Sequence, residues 1–528
     1  MSTAAAVSAL LIHPPTVRAC EPPAGIAMLA GVLRAAGIGC RLWDANLEGQ
    51  LALIRKAAPA EATDTWTKRA VRDRDDHLRR MRDGRAFENP DTYRRIVGDL
   101  DRLLANGPWK ASGRHLGLVD ATDDQLQPTR SADLLRAAEY PLEDPFAAVL
   151  ESRLERLMAE DMPRVVGISL NYLSQALSAF AFAGLVRRVA PGVRLVLGGG
   201  LVTTWMSHPE WKSPFGGLFD DLVSGPGEVP LLNIVKNSIA DLPMPAPSKR
   251  VETAGPIAAF DLLPIQEYLS PGTVLPVSAS SGCYWRRCSF CPETSEGNAW
   301  RPVDPDALLQ HVRRLTDNIR PRMIHWLDNA LSPAFLRALI VQPPGIPWFG
   351  FARFEPFLAE SGVADGLRRS GCVMLQLGLE SGDQQVLDAL GKGIRLETAG
   401  KILAELHRAG IGTYVYVLFG TPAEDEAAAR RTLDWVARHA GIIDFLNLAI
   451  FNLPVNAVEA AGLEVRQFSE GDLPLYLEFA HPRGWNRGAV RRFLDMEFRR
   501  AEPIRPVLRR DPPFFTSSHA PFFCMGMK

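Results

Sequence analysis

The sequence predicts an α/β protein made of two parallel-sheet halves, the first doubly wound and the second a run of six strand–helix units. Three observations carry this. Short apolar strands alternate with amphipathic helices in both halves, glycine-rich turns follow the strands of the first, and a loop with three cysteines follows the first strand of the second. With 528 residues the chain has room for two to three domains and a large core. Its 47% hydrophobic and 23% charged residues are ordinary for a globular protein. Lys+Arg 59 against Asp+Glu 60 leaves a net charge of −1, so no global field favours nucleic acid or an acidic membrane. Seven cysteines, an odd number without a disulfide framework, imply a reducing, cytoplasmic setting. No apolar run approaches the roughly 20 residues that span a bilayer, and the N-terminus lacks signal-peptide features.

In chain order, Ala9–Ile12 reads as a strand running into His13-Pro14-Pro15, Gly25–Ala36 as a helix and Cys40–Asp44 as the second strand. Residues 50–160 interrupt the pattern with dense mixed charge, as over Lys68–Arg80, and read as a helical insertion with a solvated face. The alternation resumes with a strand at Arg164–Ser169, a helix over Gln175–Ala190, a strand at Arg194–Leu197 ending in Gly198-Gly199-Gly200, and a last strand, Asp221–Val223, entering Ser224-Gly225-Pro226-Gly227-Glu228. No Gly-x-Gly-x-x-Gly follows the first strand, which argues against a nicotinamide site. The domain reading is 1–245 for this half, a Pro-rich linker over 246–272, a core over 273–455 and an Arg- and aromatic-rich region over 456–528. The last is expected to shape a substrate pocket, as a lid over the sheet or as a packing arm.

The second half opens with a strand at Pro276–Ser280 and the loop Gly282-Cys283-Tyr284-Trp285-Arg286-Arg287-Cys288-Ser289-Phe290-Cys291. A structural zinc site closes its tetrahedron with four protein ligands. Three thiolates without a fourth instead suit an iron–sulfur cubane that keeps one iron open, with zinc and inert buried thiols as the alternatives. Strands then follow at Met323–Asn329, Trp348–Phe354, Val373–Ser381, Gly412–Gly420 and Phe445–Leu453. Between them lie helices at Asp304–Thr316, from Ser332, through Arg369, at Gln384–Leu390, at Glu397–Ala409 and at Ala423–Ala440. Chemistry in such sheets collects at the carboxyl ends of the strands, where the cysteine loop stands.

Over about residues 273–455, the loop, the six units and the strand-end motifs resemble the radical S-adenosylmethionine (SAM) enzymes, whose core is a partial (β/α)6, TIM-type barrel. The family's usual spacing is Cys-x3-Cys-x2-Cys, whereas this chain reads Cys-x4-Cys-x2-Cys. The resemblance implies a 4Fe-4S cluster on Cys283, Cys288 and Cys291 that cleaves SAM to a 5′-deoxyadenosyl radical. It further implies polar contacts to SAM or substrate from Asp328 and Asn329, with a helix cap as the plainer reading of both. Arg353 would hold a carboxylate, Glu380 and Ser381 the SAM ribose, and Gly420 a close approach to adenine, although a strand-to-helix turn explains that glycine equally well. Gly391-Lys392-Gly393 follows as in relatives.

The first half, read as a Rossmann-like sheet, resembles the cobalamin-binding domain that precedes the barrel in one radical SAM subgroup. Ser169, Gly198, Gly199, Gly225, Gly227 and Glu228 are implied as cofactor contacts. The Asp-x-His-x-x-Gly triplet that supplies histidine to cobalt elsewhere is absent, so no protein imidazole on cobalt is expected, from His13 included. The implied activity is methylation, or another modification, of an unactivated centre in a small-molecule substrate, with electrons from an external donor such as flavodoxin or ferredoxin and without nucleic acid or membrane partners. Two alternatives stand beside it: a cobalamin-independent radical SAM oxidoreductase or cyclase, and a non-catalytic cobalamin or redox sensor.

Overall fold

The computed structural model describes residues 7–57, 64–208, 211–240, 257–515 and 519–525. The chain divides into two compact units, one of residues 1–273 with 470–475 and one of 274–469 with 476–528.

The N-terminal unit is built on five parallel strands: β1 (Val7–His13), β2 (Gly39–Asp44), β3 (Val165–Ser169), β4 (Arg194–Gly198) and β5 (Asp221–Val223), in the order β2-β1-β3-β4-β5. Each lies within about two residues of the strand expected from sequence. This is the second of the two common doubly wound orders, and its direction reverses between β1 and β3. The carboxyl-end crevice of such a sheet therefore opens between the turn after His13 and the turn after Ser169. Helices cover both faces, so β1 is buried through Ser8–His13, with Ala9–Ile12 as an unbroken apolar run.

The insertion is helical as expected, with helices Ala45–Lys56, Thr65–Asp83, Pro90–Ala105, Ser131–Glu139 and Pro145–Asp161. Asp44, Asp64, Asn89 and Asp144 cap four of them by accepting first-turn amides. Its charge run is not wholly solvated. Arg69 and His77, one helical face of that run, turn inward to a shared partner, Asp99, and His77 and Asp99 are both buried.

The expected linker lies outside the described residues up to 256. From Ile257 it is a packed arm and not a free connection. Ala259 N donates to Ala27 O at 2.8 Å, Leu269 N to Ala19 O at 2.8 Å, and the buried Tyr268 hydroxyl to Asp44 at 2.7 Å. Gly31 is required by this packing, since a Cβ there would stand 2.1 Å from Ile257 O. The short stretch Glu470–Leu475 belongs to the same unit, with Leu473 N bonded to Thr129 O and Asp472 accepting from Ser131.

The C-terminal unit carries six parallel strands in consecutive order: β6 (Val274–Val277), β7 (Met323–Trp326), β8 (Trp348–Ala352), β9 (Cys372–Glu380), β10 (Gly412–Phe419) and β11 (Phe445–Ile450). The sheet is open, with β6 and β11 as its edges. Outward-facing residues such as Trp326, Leu375, Leu377 and Val415 pack against the surrounding helices in one large core.

The aromatic tail resolves as a packing arm and not as a lid. Helix His519–Met525 sets Ala520 among Val274, Met323, Phe349, Met374, Tyr414 and Phe445, which lie at or near the amino ends of the strands. His519 stacks on Tyr414 at 4.2 Å, and a Cβ on Gly412 would meet the Phe523 ring at 2.2 Å. The tail thus closes the end of the sheet opposite the cysteine loop.

Candidate functional site

The cysteine loop leaves the carboxyl end of β6 and is fastened there by Asp328, which accepts Ala279 N at 2.8 Å and the Ser280 hydroxyl. Asp328 is only 3% exposed, and burial raises its pKa against these hydrogen bonds. Both of its oxygens thus accept from the start of the cysteine loop, a positioning role in place of the catalytic contact expected. Its neighbour Asn329 stands exposed at the same strand end.

Gly282 turns the chain at φ +71°, where a Cβ would stand 2.6 Å from Ala299 O. The four-residue gap then folds inward. Trp285 donates its indole N–H to Gly391 O at 2.8 Å and packs on Gly393, whose missing side chain makes the room: a Cβ there would lie 2.0 Å from the ring. Tyr284 donates its hydroxyl to Glu355 at 2.9 Å. Beyond the gap, Cys291 caps the short helix Pro292–Ser295.

Burial pushes the Cys288 thiol up, opposed by the charges of Lys392 and Arg353, and it pushes the Cys291 thiol up to about 11. Cys283 raises both further, and Cys288 also raises Cys291. Among the described residues no three His, Cys, Asp or Glu side chains converge on a single ion. Three thiols from one loop without a fourth ligand are the donor chemistry expected of an iron–sulfur site.

Around the thiols lies a shell that only the folded chain assembles. Lys392, 6% exposed, ion-pairs with Glu380 at 2.7 Å and lies over the Phe290 ring at 5.6 Å. Gly378 clears the space for this pair, because a Cβ there would fall 2.4 Å from Glu380 Oε1. Glu380 itself adopts φ +67°, the left-handed region that costs a non-glycine residue roughly 1 kcal/mol or more. Arg353, at the end of β8, donates to Glu355 at 3.0 Å, to Lys392 O and to Cys288 Sγ at 3.9 Å. The carboxylate it holds is thus Glu355 of the protein itself, and its remaining bonds tie it to the cysteine loop and to Lys392.

Ser381 also departs from expectation. It is fully buried, its hydroxyl meeting Thr432 at 3.1 Å and accepting Asp383 N, so it fastens a turn and offers nothing to a ribose. Gly420 has φ +79° and gives its amide to Glu424 at 2.6 Å, which makes the turn reading sufficient for this glycine. The residues missed by sequence reasoning are Trp285, Glu355 and Glu424, with Lys392 noticed only as part of a motif. A tryptophan flanked by arginines inside a cysteine loop is a local signal that could have marked the first.

Above its floor the concave face of the sheet is accessible. Along β10 the burial alternates so that Tyr416 and Leu418 are partly exposed while Val415, Val417 and Phe419 are buried, and Phe351, Gly378 and Glu380 repeat this on β8 and β9. Period-two alternation places these residues on one face. That face carries Phe351 against Tyr416 at 5.1 Å, and Gln376, whose amide donates to the Tyr416 hydroxyl at 3.1 Å. Rings with a few polar groups on an accessible face are the usual lining of a small-molecule site.

In the N-terminal unit, Asn171 bridges the turns at the sheet's carboxyl edge, donating to Ser169 Oγ at 3.1 Å and accepting Gly200 N at 3.0 Å. Gly225, at φ +72°, has open space where its Cβ would be and gives its amide to Thr203. Gly198 and Gly227 have van der Waals neighbours only, and Glu228 opens the helix Glu228–Ser238. Gly199 is different: at φ +115° its Cβ would meet Leu170 O at 2.3 Å, so the protein's own backbone demands glycine there. His13 is buried at the end of β1, and that burial lowers its pKa. The switch point beside Ser169 and the open space at Gly225, beyond the edge strand β5, are what this carboxyl edge offers a cofactor.

Residues 277–436, within the C-terminal unit, match the model of the radical SAM superfamily. Among curated proteins, the chain is 23% identical over 313 residues to an uncharacterized methyltransferase of Pyrococcus horikoshii, covering 54% of this chain and 67% of that one. It is 26% identical over 174 residues to the bacteriochlorophyllide d C-12(1)-methyltransferase of Chlorobaculum tepidum, a match spanning 31% of this chain and only 38% of the relative. Among solved structures it resembles the radical SAM methyltransferase TsrM of Kitasatospora setae, determined with tryptophan substrate and a SAM analog. The TM-score is 0.56 at 15% identity, over 92% of this chain and 88% of that one. A second TsrM structure, with cobalamin and a 4Fe-4S cluster bound, gives a TM-score of 0.52 at 16% identity, over 91% and 85% of the two chains. At these identities the likeness is one of fold. No helix among the described residues is long and apolar enough to cross a membrane.

Proposed function

We propose that this chain is a cobalamin-dependent radical SAM enzyme that methylates an unactivated centre of a small molecule. The observation that carries the reading is the three-thiol loop at the end of β6, gathered with Arg353, Lys392 and Glu380 at the carboxyl ends of the strands inside the stretch that matches the radical SAM superfamily. The doubly wound sheet, with its switch point between His13 and Ser169, supports cobalamin, as does the fold shared with a structure that holds it. When bound, the cluster and SAM supply a carbon radical and cobalamin a methyl group; the cofactors carry the hard chemistry.

The protein's part is to bind, orient and exclude water. Cys283, Cys288 and Cys291 hold the cluster. Lys392 fixes one oxygen of Glu380 and leaves the other to accept from the ribose hydroxyls of SAM. The tail helix packs on the amino ends of the strands, which leaves the carboxyl end to the substrate. Rings at Phe351 and Tyr416 line the face on which a small substrate is held. Electrons come from an external flavodoxin- or ferredoxin-type donor.

Anaerobic reconstitution followed by measurement of SAM cleavage with and without cobalamin tests the whole reading. Wild type is expected to hold iron and sulfide, to take up cobalamin and to cleave SAM, while replacing all three cysteines by alanine abolishes the iron and sulfide. One zinc without sulfide would refute the cluster, and SAM cleavage without any uptake of cobalamin would leave the cobalamin-independent alternative. Glu380→Ala, with the cluster intact, is expected to weaken SAM binding roughly 10- to 150-fold, the loss of about 1.5–3 kcal/mol from a charge-assisted hydrogen bond.

A further inference from the structure

We propose that Arg353 is a positioning residue that tunes the cluster: its guanidinium donates an N–H to Cys288 Sγ and raises the cluster's reduction potential, while Tyr284 and Trp285, from the four-residue gap between the first two cysteines, hold it there. The proposal rests on reading the loop as a cluster site.

The geometry leaves Arg353 little freedom. Its side chain is 5% exposed. One face of the guanidinium lies over the Trp285 ring at 4.1 Å, a cation–π contact strengthened by desolvation. Nε donates to Glu355 Oε1 at 3.0 Å, and the same oxygen accepts the Tyr284 hydroxyl at 2.9 Å. One terminal nitrogen is bonded to Lys392 O, and the other faces Cys288 Sγ at 3.9 Å. Two consecutive residues of the gap therefore end on this one arginine, Trp285 directly and Tyr284 through Glu355. Trp285 is itself pinned by Gly391 O and by the space that Gly393 leaves. A lengthened gap that served only as a spacer would not need to bury an indole against a buried arginine.

The consequence is electrostatic. A thiolate-held cluster gains negative charge on reduction, and hydrogen bonds to its sulfurs are among the determinants of its potential. A fixed cation in a water-poor site acts more strongly than one in solvent. Arg353, with Lys392 beside it, thus favours the reduced form and makes the first electron easier to accept.

The test is an EPR-monitored redox titration, without SAM, of reconstituted wild type, Arg353→Gln, Arg353→Lys and Trp285→Phe, each checked for iron and sulfide content. Arg353→Gln is expected to titrate at a clearly more negative potential than wild type at equal cluster content. Arg353→Lys, which keeps the charge without the planar fork, should fall between the two. Trp285→Phe keeps every bond partner of Arg353 but loses the anchor to Gly391, and should shift less in the same direction. Wild-type potentials in Arg353→Gln and Trp285→Phe, or a shift to more positive values, would overturn the proposal. Should Arg353→Gln fail to assemble a cluster, Trp285→Phe decides alone, and an unchanged potential there overturns it. A wild-type protein that binds no iron and sulfide would instead refute the cluster reading on which this rests.

Discussion

Glu424 is the residue whose surroundings depart furthest from those of an ordinary surface carboxylate. It is fully buried, one oxygen accepting Gly420 N at 2.6 Å and the Trp485 indole at 2.9 Å, the other without a hydrogen-bond partner among the described residues. Burial pushes its pKa from the usual 4.5 up to about 8. Between those values the folded protein holds a proton that the unfolded chain has released, so folding stability is greatest below about pH 4.5 and falls as pH rises to about 8. The slope is at most about 1.4 kcal/mol per pH unit. Glu424→Gln keeps an acceptor for both donors and cannot ionise. Its stability relative to wild type should therefore increase from pH 5 to pH 8 in anaerobic denaturant titrations, and parallel profiles for the two proteins would reject this account.

At the scale of elements, the turns after β4 and β5 separate a glycine required by the fold from one whose Cβ would meet only open space. Gly199 faces Leu170 O and Gly225 faces empty space, although both have positive φ. Gly199→Ala should lower the thermal stability of the cofactor-free protein strongly, by more than about 2 kcal/mol, because a backbone clash adds to left-handed strain. Gly225→Ala carries the strain alone, about 1–2 kcal/mol. Equal losses in scanning calorimetry would contradict the difference in packing. The same contrast shows why a glycine-rich turn could be found in sequence while its cause could not. Gly198-Gly199-Gly200 is a local pattern, but the carbonyl that requires the middle glycine comes from another turn of the sheet.

For the molecule as a whole, the tail helix His519–Met525 matters because it fills the amino-end side of the second sheet with aromatic rings. Phe522 is 1% exposed, and Phe522→Ala should cost about 3–5 kcal/mol in denaturant unfolding. SAM affinity in the folded fraction should not change, since the carboxyl-end groups lie at the opposite end of the strands. A selective loss of SAM binding without loss of stability would restore the lid.

The sequence by itself determined the alternation of strands and helices in both halves, every strand to within about three residues, and the three cysteines with their spacing. These are carried by short-range signals: apolar periodicity, glycine and proline punctuation, and ligands a few residues apart. Only the tertiary structure decided that Asp328 and Ser381 are used internally, that the aromatic tail is a plug, and that Arg353 belongs to the cysteine loop. Arg353 and Cys288 are 65 positions apart and Glu424 and Trp485 are 61, and no local pattern encodes such a meeting. What brings them together is the parallel sheet, which returns each strand to the same end and sets side chains distant in sequence against one another in a space from which water is excluded.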